Sequence, residues 1–571
     1  MAETLLSPGV LARETDQSFI QGQPIQAGAA IIGPAVKGPV GIPTLVSSFS
    51  EYQAVFGDTV TSGSQQYEYL NATSARNYFS QGGTSLLVTR VQSGSWTGAE
   101  AEVVDSSSTA SFTLTTISEG TIMNSTGPTG SNGTLASGSK DNIRYEIQGA
   151  NTSTGTFSVI IRRGDDSSKQ KNVLETFQNV SLDPKSNNYI SRVIGDTYYS
   201  VGSDGADHYV KSHGNYVNKS KYIYVSNVAQ PTSDYFDNNG VAKPEFTSSL
   251  PADGSGSFGG GSGSLFTLTA ESSSALWNEN ITSTNIQGIS PASYNESISL
   301  LANKDDYRFN LITIPGLNAT DHAIQVNSLI SLADTRQDCI AVVDLAGYSK
   351  TVSTITTKAT SFDSSYGATY WPWLQILNGA GQTVWVPAST MIPGVYAFTD
   401  ASSDAWFAPA GLTRGALGNV IKAERKLTSG NRDSLYTANV NPIATFPGSG
   451  VVVFGQKTLQ KRSSALDRVN VRRLLIELKS YISQVSDNLV FEQNSIATRN
   501  SFLTQVNPYL ESIQQRQGLY AFKVVMDETN NTADVVDRNE LVGQIYLQPT
   551  KTAEFILLDF NVLPTGATFP S

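Results

Sequence analysis

The alternation of apolar and polar positions is clearest toward the end of the chain. Val471, Leu475, Leu478, Ile482, Val485 and Leu489 recur in steps of four and three, which puts them on one face of an α-helix. A second stripe, Phe502, Val506, Tyr509, Leu510 and Ile513, predicts another helix, with Asn500 or Ser501 as its N-cap and Gly518 as its stop. Beyond Gly518 the period falls to two. Tyr520, Phe522, Val524 and Met526 share a face, Glu528 to Asn531 supplies a turn, and Leu541, Gly543, Ile545 and Leu547 lead to Pro549. Ile556, Leu558, Phe560 and Val562 then lead to Pro564, predicting two helices followed by three strands. The last strand is apolar on both faces from Phe555 to Leu558, so it either closes its own sheet or pairs with the edge of another chain's sheet.

Upstream the texture changes twice. Residues 1–25 hold Pro8, Gly9, Gly22 and Pro24 without a periodic apolar face, which predicts an arm with little to pack against. Residues 26–92 carry short apolar runs at Ala29–Ala35 and Ser85–Val91, with helices expected near Ser50–Phe56 and Tyr67–Tyr78. That is the first part of a layered α/β domain. From 93 to 302 Ser, Thr, Gly and Asn dominate and alternation replaces helical spacing, which predicts two inserted β-rich domains, 93–196 and 197–302. Asp253–Ser264 has the composition of a linker. The α/β texture resumes over 303–455 with strands at Arg308–Ile314, Cys339–Asp344 and Val451–Phe454, and 456–571 forms the C-terminal module. The fold class is therefore mixed α/β: a discontinuous α/β core, inserted β-rich outer domains and a C-terminal α+β assembly module with terminal strand arms.

Composition narrows the function. With 571 residues the soft expectation is roughly four domains. Lys plus Arg is 38 and Asp plus Glu 49, a net charge of −11, which disfavours general binding to nucleic acid or anionic membrane. No segment is long and apolar enough to insert in a bilayer, and no export signal is visible. Cys339, the single cysteine, permits no intrachain disulfide and reads as a packed thiol. Gly254–Gly259 formally matches a dinucleotide fingerprint but lies in the Gly/Ser stretch, without the strand and helix that such a loop needs. His208 and His213 are badly spaced for a metal site, and the acid pairs Asp165–Asp166 and Asp305–Asp306 read as solvated turns. The expectation is a protein that is not an enzyme, with no cofactor and no metal.

One charged cluster stands out against the acidic background: Lys457, Lys461, Arg462, Arg468, Arg472 and Arg473, running on to Lys479. It is either a solvated face balanced by Asp467 and Glu477, or a basic patch for an acidic protein surface.

Several stretches resemble one family. Leu5-Leu6-Ser7-Pro8-Gly9-Val10, Val173–Asp183 with Asn188–Asp196, Trp406–Gly411, Val453–Leu459 leading to Arg468–Leu474, and Gly543–Pro549 with Ala553–Ile556 are similar, in this order, to stretches of the sheath subunits of contractile phage tails and related injection machines. The resemblance implies a virion structural protein, assembled in the host cytoplasm, that polymerises with itself as stacked hexameric rings around a tail tube. Contraction from a metastable extended state would drive the tube through the host envelope, with baseplate and tail terminator proteins as further partners. It also implies inter-subunit strand arms carrying Leu5, Leu6 and Val10 at one end and Phe555, Ile556, Leu558, Phe560 and Val562 at the other. The basic cluster would face the tube, and reversing Arg472 and Arg473 to Glu should then weaken assembly on the tube without unfolding the monomer. The competing expectation is a tail fibre or receptor-binding adhesin, which should show repeats or heptads that this chain lacks. A secreted hydrolase would need an acid/base constellation that is not found.

Overall fold

The computed structural model describes residues 25–62, 65–129, 131–205, 207–265 and 278–554. Short runs of β-branched and small apolar residues build its centre, an eight-stranded sheet. In chain order the strands are β1 (Ala29–Gly33), β2 (Thr44–Val46), β3 (Leu86–Arg90), β4 (Leu311–Asn318), β5 (Ile340–Asp344), β6 (Gly367–Trp371), β7 (Asn441–Phe446) and β8 (Gly450–Val453). Their spatial order is β8-β7-β6-β5-β4-β1-β3-β2. The middle of the sheet is parallel, and an antiparallel strand closes each edge, β2 against β3 and β8 against β7.

Every residue of β1, β3, β4, β5 and β6 is buried, which requires cover on both faces and explains why these runs are continuous rather than alternating. Helix α1 (Leu70–Ser80) packs with α3 (Ala388–Ser402), α2 (Ala323–Arg336) with a helix over Tyr294–Leu300, and α4 (Ser429–Thr437) against β7. Ile31, Leu87, Ile312, Val342 and Ala368 fill the shared core, with Cys339 fully buried beside them. The sheet joins strands before residue 93 to strands after 302, so the core is discontinuous.

The intervening chain includes a β-rich body whose interior lies between its two largest sheets. Ile223–Val228, Ala110–Glu119 and Gly98–Val104 make one, and Val173–Ser181, Thr156–Arg163, Ile143–Asn151 and Gly254–Ser257 make the other. Phe112 stacks on Phe157 at 5.6 Å between them, and Val159, Ile161, Ile223, Val225 and Phe258 complete one core. Strands on both sides of residue 196 thus share a single interior. Gly254–Ser257 is an antiparallel edge strand of that body and not a linker. Glycine is needed at 256, where a Cβ would lie 2.4 Å from the Tyr145 hydroxyl. Asp166 is also not a solvated turn residue. Its carboxylate is buried and accepts from Arg162 at 2.6 and 2.8 Å, whereas its neighbour Asp165 stays at the surface with Arg163.

Candidate assembly interface

The C-terminal module stands on two helices, α5 (Val469–Asp487) and α6 (Ile496–Gln515). Ser495 caps α6, its hydroxyl accepting from the Thr498 amide, so the helix starts about one turn earlier than the apolar stripe suggested. Leu474, Leu478 and Val485 of α5 meet Phe502, Val506, Leu510 and Ile513 of α6, and Tyr481 stacks on Tyr509 at 3.7 Å. Against this pair lies a two-stranded antiparallel sheet of β9 (Leu519–Val525) and β10 (Gln544–Pro549). Alternation divides its faces: Phe522, Val524, Ile545 and Leu547 turn toward the helices, while Tyr546 is exposed on the other side. Tyr520, expected on the same face as Phe522 and Val524, is exposed instead, because the register breaks between Leu519 and Ala521.

Among the described residues β9 pairs only with β10 and β10 only with β9. Among those residues neither outer edge has a neighbouring strand, and an open edge is the chemistry that recruits a further strand. The third predicted strand, with Phe555, Ile556, Leu558, Phe560 and Val562, and the N-terminal Leu5, Leu6 and Val10 lie outside the described residues.

The point from which the C-terminal segment departs is well defined. The Glu554 carboxylate accepts from Arg468 Nε at 2.7 Å, Gln456 Nε2 at 3.0 Å and the Tyr436 hydroxyl, and Gln456 Nε2 also donates to Thr552 Oγ1 at 2.6 Å. Lys457 Nζ sits over the Tyr436 ring and donates to the Tyr436 carbonyl at 2.8 Å. Partial burial alone would raise the Glu554 pKa, but the hydrogen bonds from Tyr436, Arg468 and Gln456 outweigh it and hold the carboxyl below its ordinary value. This clamp ties residue 554 to the stretch joining core and module. No sequence pattern announced it, because its members lie 86 to 118 positions from Glu554.

The structure does not gather the six basic residues on one surface. Lys461 and Arg462 are exposed. Lys457 and Arg468 are half-buried in the clamp. Arg472 is buried, stacked 3.9 Å from the Tyr366 ring centre and donating to the Ser365 carbonyl at 3.2 Å. Arg473 is buried too, placing two 2.6 Å bonds on the Asp400 carboxylate while lying over Tyr396. These two arginines are struts between module and core, which corrects their expected place on an exposed patch. Residues Val469–Leu474 of α5 are all buried because the helix start is wedged against the core as well as α6. Charge reversal at 472 and 473 would strike the fold before any partner.

The histidines are satisfied structurally. His322 Nδ1 accepts from the Asn318 amide at 3.1 Å while Nε2 meets the Thr282 carbonyl at 2.9 Å, and His213 stacks on Tyr198. Burial lowers the His322 pKa, in keeping with a neutral ring that donates from Nε2. Among the described residues no group of three or more His, Cys, Asp or Glu could hold a metal ion, and no helix is long and apolar enough to cross a membrane.

Fold and site together define a protein of several α/β and β bodies whose distinctive exposed chemistry is open sheet edge. Known proteins supply the family. Residues 287–459 match the phage tail sheath protein central domain, and residues 461–562 the phage tail sheath C-terminal domain. The tail sheath protein of Vibrio phage KVP40 is 44% identical over 185 residues, 32% of this chain and 28% of that one. That of Enterobacteria phage T4 is 35% identical over 261 residues, 42% of this chain and 39% of that one. The chain thus spans well under half the length of these relatives. The crystal structure of a sheath tail protein from Listeria innocua shares the fold at 10% identity, with a TM-score of 0.50 over 92% of this chain and 95% of that one. Over residues 287–459 and 461–562 the chain is thus similar to the central and C-terminal domains of phage tail sheath proteins.

Proposed function

We propose that this protein is the structural subunit of a contractile tail sheath. It polymerises with itself as stacked hexameric rings around a tail tube and shortens from a metastable extended state to drive the tube through the host envelope. The observation that carries the reading is the β9–β10 sheet of the C-terminal domain, whose two edges lack a neighbouring strand among the described residues. The segments 1–24 and 555–571 are the strands proposed to fill them, each lent to a neighbouring copy. Such contacts are heterologous, so they extend an array rather than close a dimer. Strand pairing can persist while bodies rotate, leaving the difference between extended and contracted forms to body–body contacts. Tube, baseplate and tail terminator are the further partners, and the tube-facing patch narrows to Lys461 and Arg462. Chemistry at a cofactor has no part in this cycle.

Negative-stain microscopy of the purified full chain tests the reading. Tubular polymers are expected, and deletion of residues 1–20 should abolish them while leaving a folded monomer. A truncated chain that still forms tubes would remove the arm from the account.

A further inference from the structure

The core and the β-rich body keep separate interiors. The chain leaves the core after β3 and comes back at the helix over Tyr294–Leu300. These two crossings are tied side by side in a neck: the Ser93 hydroxyl accepts from the Ser290 amide at 2.9 Å and lies 3.1 Å from the Ser293 hydroxyl.

Beyond the neck the two bodies meet largely on charge. Lys140 of the body reaches Asp58 of the core at 2.5 Å, Lys221 reaches Glu51 at 2.9 Å, and Asp141 faces Lys37 at 3.9 Å. Each side thus carries both signs, in complementary order. Backbone groups follow the same line. The Gly38 amide donates to the Ser118 hydroxyl at 2.7 Å, the Val40 amide to the Glu119 carboxylate at 3.1 Å, and the Glu119 amide to the Gly38 carbonyl at 3.3 Å. Apolar contact is a small cluster in which Trp96 and Ile122 pack on Val36, Val60, Tyr67 and Tyr69. The strand Asp207–His213 also rests on the core through Val210 and through His208, whose Nδ1 lies 3.1 Å from Ser299 Oγ.

The joint is not filled. A cavity of about 20 Å3 is lined by Lys37, Asp141, Ser118 and Lys221 and has room for one water. The Lys37–Asp141 separation is too long for a direct hydrogen bond and suits a bridging water there. Burial lowers the Lys37 pKa and raises that of Asp141, the sign of a pair whose desolvation opposes its attraction. The other two pairs are partly exposed, so each contributes little and is screened by salt. Such a seam fixes how two bodies seat without holding them hard, and polar joints of this kind permit domains to move.

We propose that the joint is a salt-labile hinge: the β-rich body parts from the core as a unit about the neck at Ser93 and Ser290, while both interiors stay folded. The motion belongs to a single chain and does not depend on self-assembly.

Hydrogen exchange of the full-length monomer tests it. The Gly38, Val40 and Glu119 amides report the joint, Ile31 and Val88 the core, and Ile160 and Ile161 the body. Raising the salt from about 0.05 to about 1 M should speed the joint amides roughly tenfold and leave the other four unchanged. Lys140→Glu/Lys221→Glu alters two exposed side chains and should have the same effect at low salt. Lys140→Asp alone should also speed the joint amides, and adding Asp58→Lys should slow them again. Joint amides insensitive to salt and to these variants, or speeding up only together with those of Ile31 and Ile161, would overturn the hinge.

Discussion

The core sheet and the module sheet solve the problem of their edges in opposite ways. The core sheet has eight strands, buried on both faces, with an antiparallel strand finishing each side. The module sheet has two strands, one face wet, and neither outer edge paired among the described residues. An isolated pair of strands is marginal in water, and here it depends on α5 and α6 for its inner face. The core sheet is finished by strands of its own chain, whereas the proposed function has the module sheet completed by neighbouring copies. Perturbing the core should therefore unfold the monomer, and perturbing the module edge should spare the monomer and abolish the polymer.

The largest thermodynamic effect is expected where core and module are pinned together. Arg473→Ala leaves Asp400 without its partner and empties a buried site, a loss of about 3 kcal/mol, at the low end for a broken buried pair because Asp400 is half exposed. Denaturant unfolding should show it as a lower midpoint. A midpoint unchanged from wild type would mean that Arg473 is not a strut and would revive the exposed-patch reading.

Next comes the Glu554 clamp. Glu554→Gln removes the charge that Arg468 meets and should cost about 1 kcal/mol, since both groups are partly solvated. Because the folded-state pKa of Glu554 lies below its ordinary value, its contribution is complete above that value and fades as pH falls through the folded-state pKa. Melting temperatures of wild type and Glu554→Gln should differ at neutral pH and converge in acid. A difference that persists in acid would mean that packing, not charge, holds residue 554.

The smallest effect on the monomer belongs to Lys461→Glu with Arg462→Glu. Both side chains are exposed and should change stability by no more than about 0.5 kcal/mol. Co-sedimentation with tail tube should nevertheless weaken. Equal sedimentation would free these residues of any role in tube binding.

Where each element lies on this divide also decides how well it could be read from the sequence. The strands at Cys339–Asp344 and Val451–Phe454 are visible as continuous apolar runs, and the alternation of Phe522–Met526 is visible because only one face is buried. The discontinuous core is legible too, because the α/β texture stops near residue 93 and returns after 302. What escaped was non-local. The boundary expected between 196 and 197 falls within one core, since hydrophobic clustering between sheets leaves no trace in composition. Gly254–Ser257 reads as a linker by composition, and of its two glycines only Gly256 answers to a non-local contact, the Tyr145 ring packed where its Cβ would be. Arg472 and Arg473 looked like surface charge because Tyr366, Tyr396 and Asp400 are 73 or more positions away or carry no sign of the pairing. The open edges of β9 and β10 lie between these cases: the strands were predicted, and the lack of partners had to be seen.

Hydrogen exchange of the β9 and β10 amides, compared between monomer and polymer, bears most directly on the claim that these edges are filled by neighbours. The account predicts that edge-facing amides of Tyr520–Val525 and Gln544–Gln548 exchange quickly in the monomer and become strongly protected in the polymer, while β4 and β5 are equally protected in both. Edge amides already protected in the monomer, or still fast in the polymer, would contradict it.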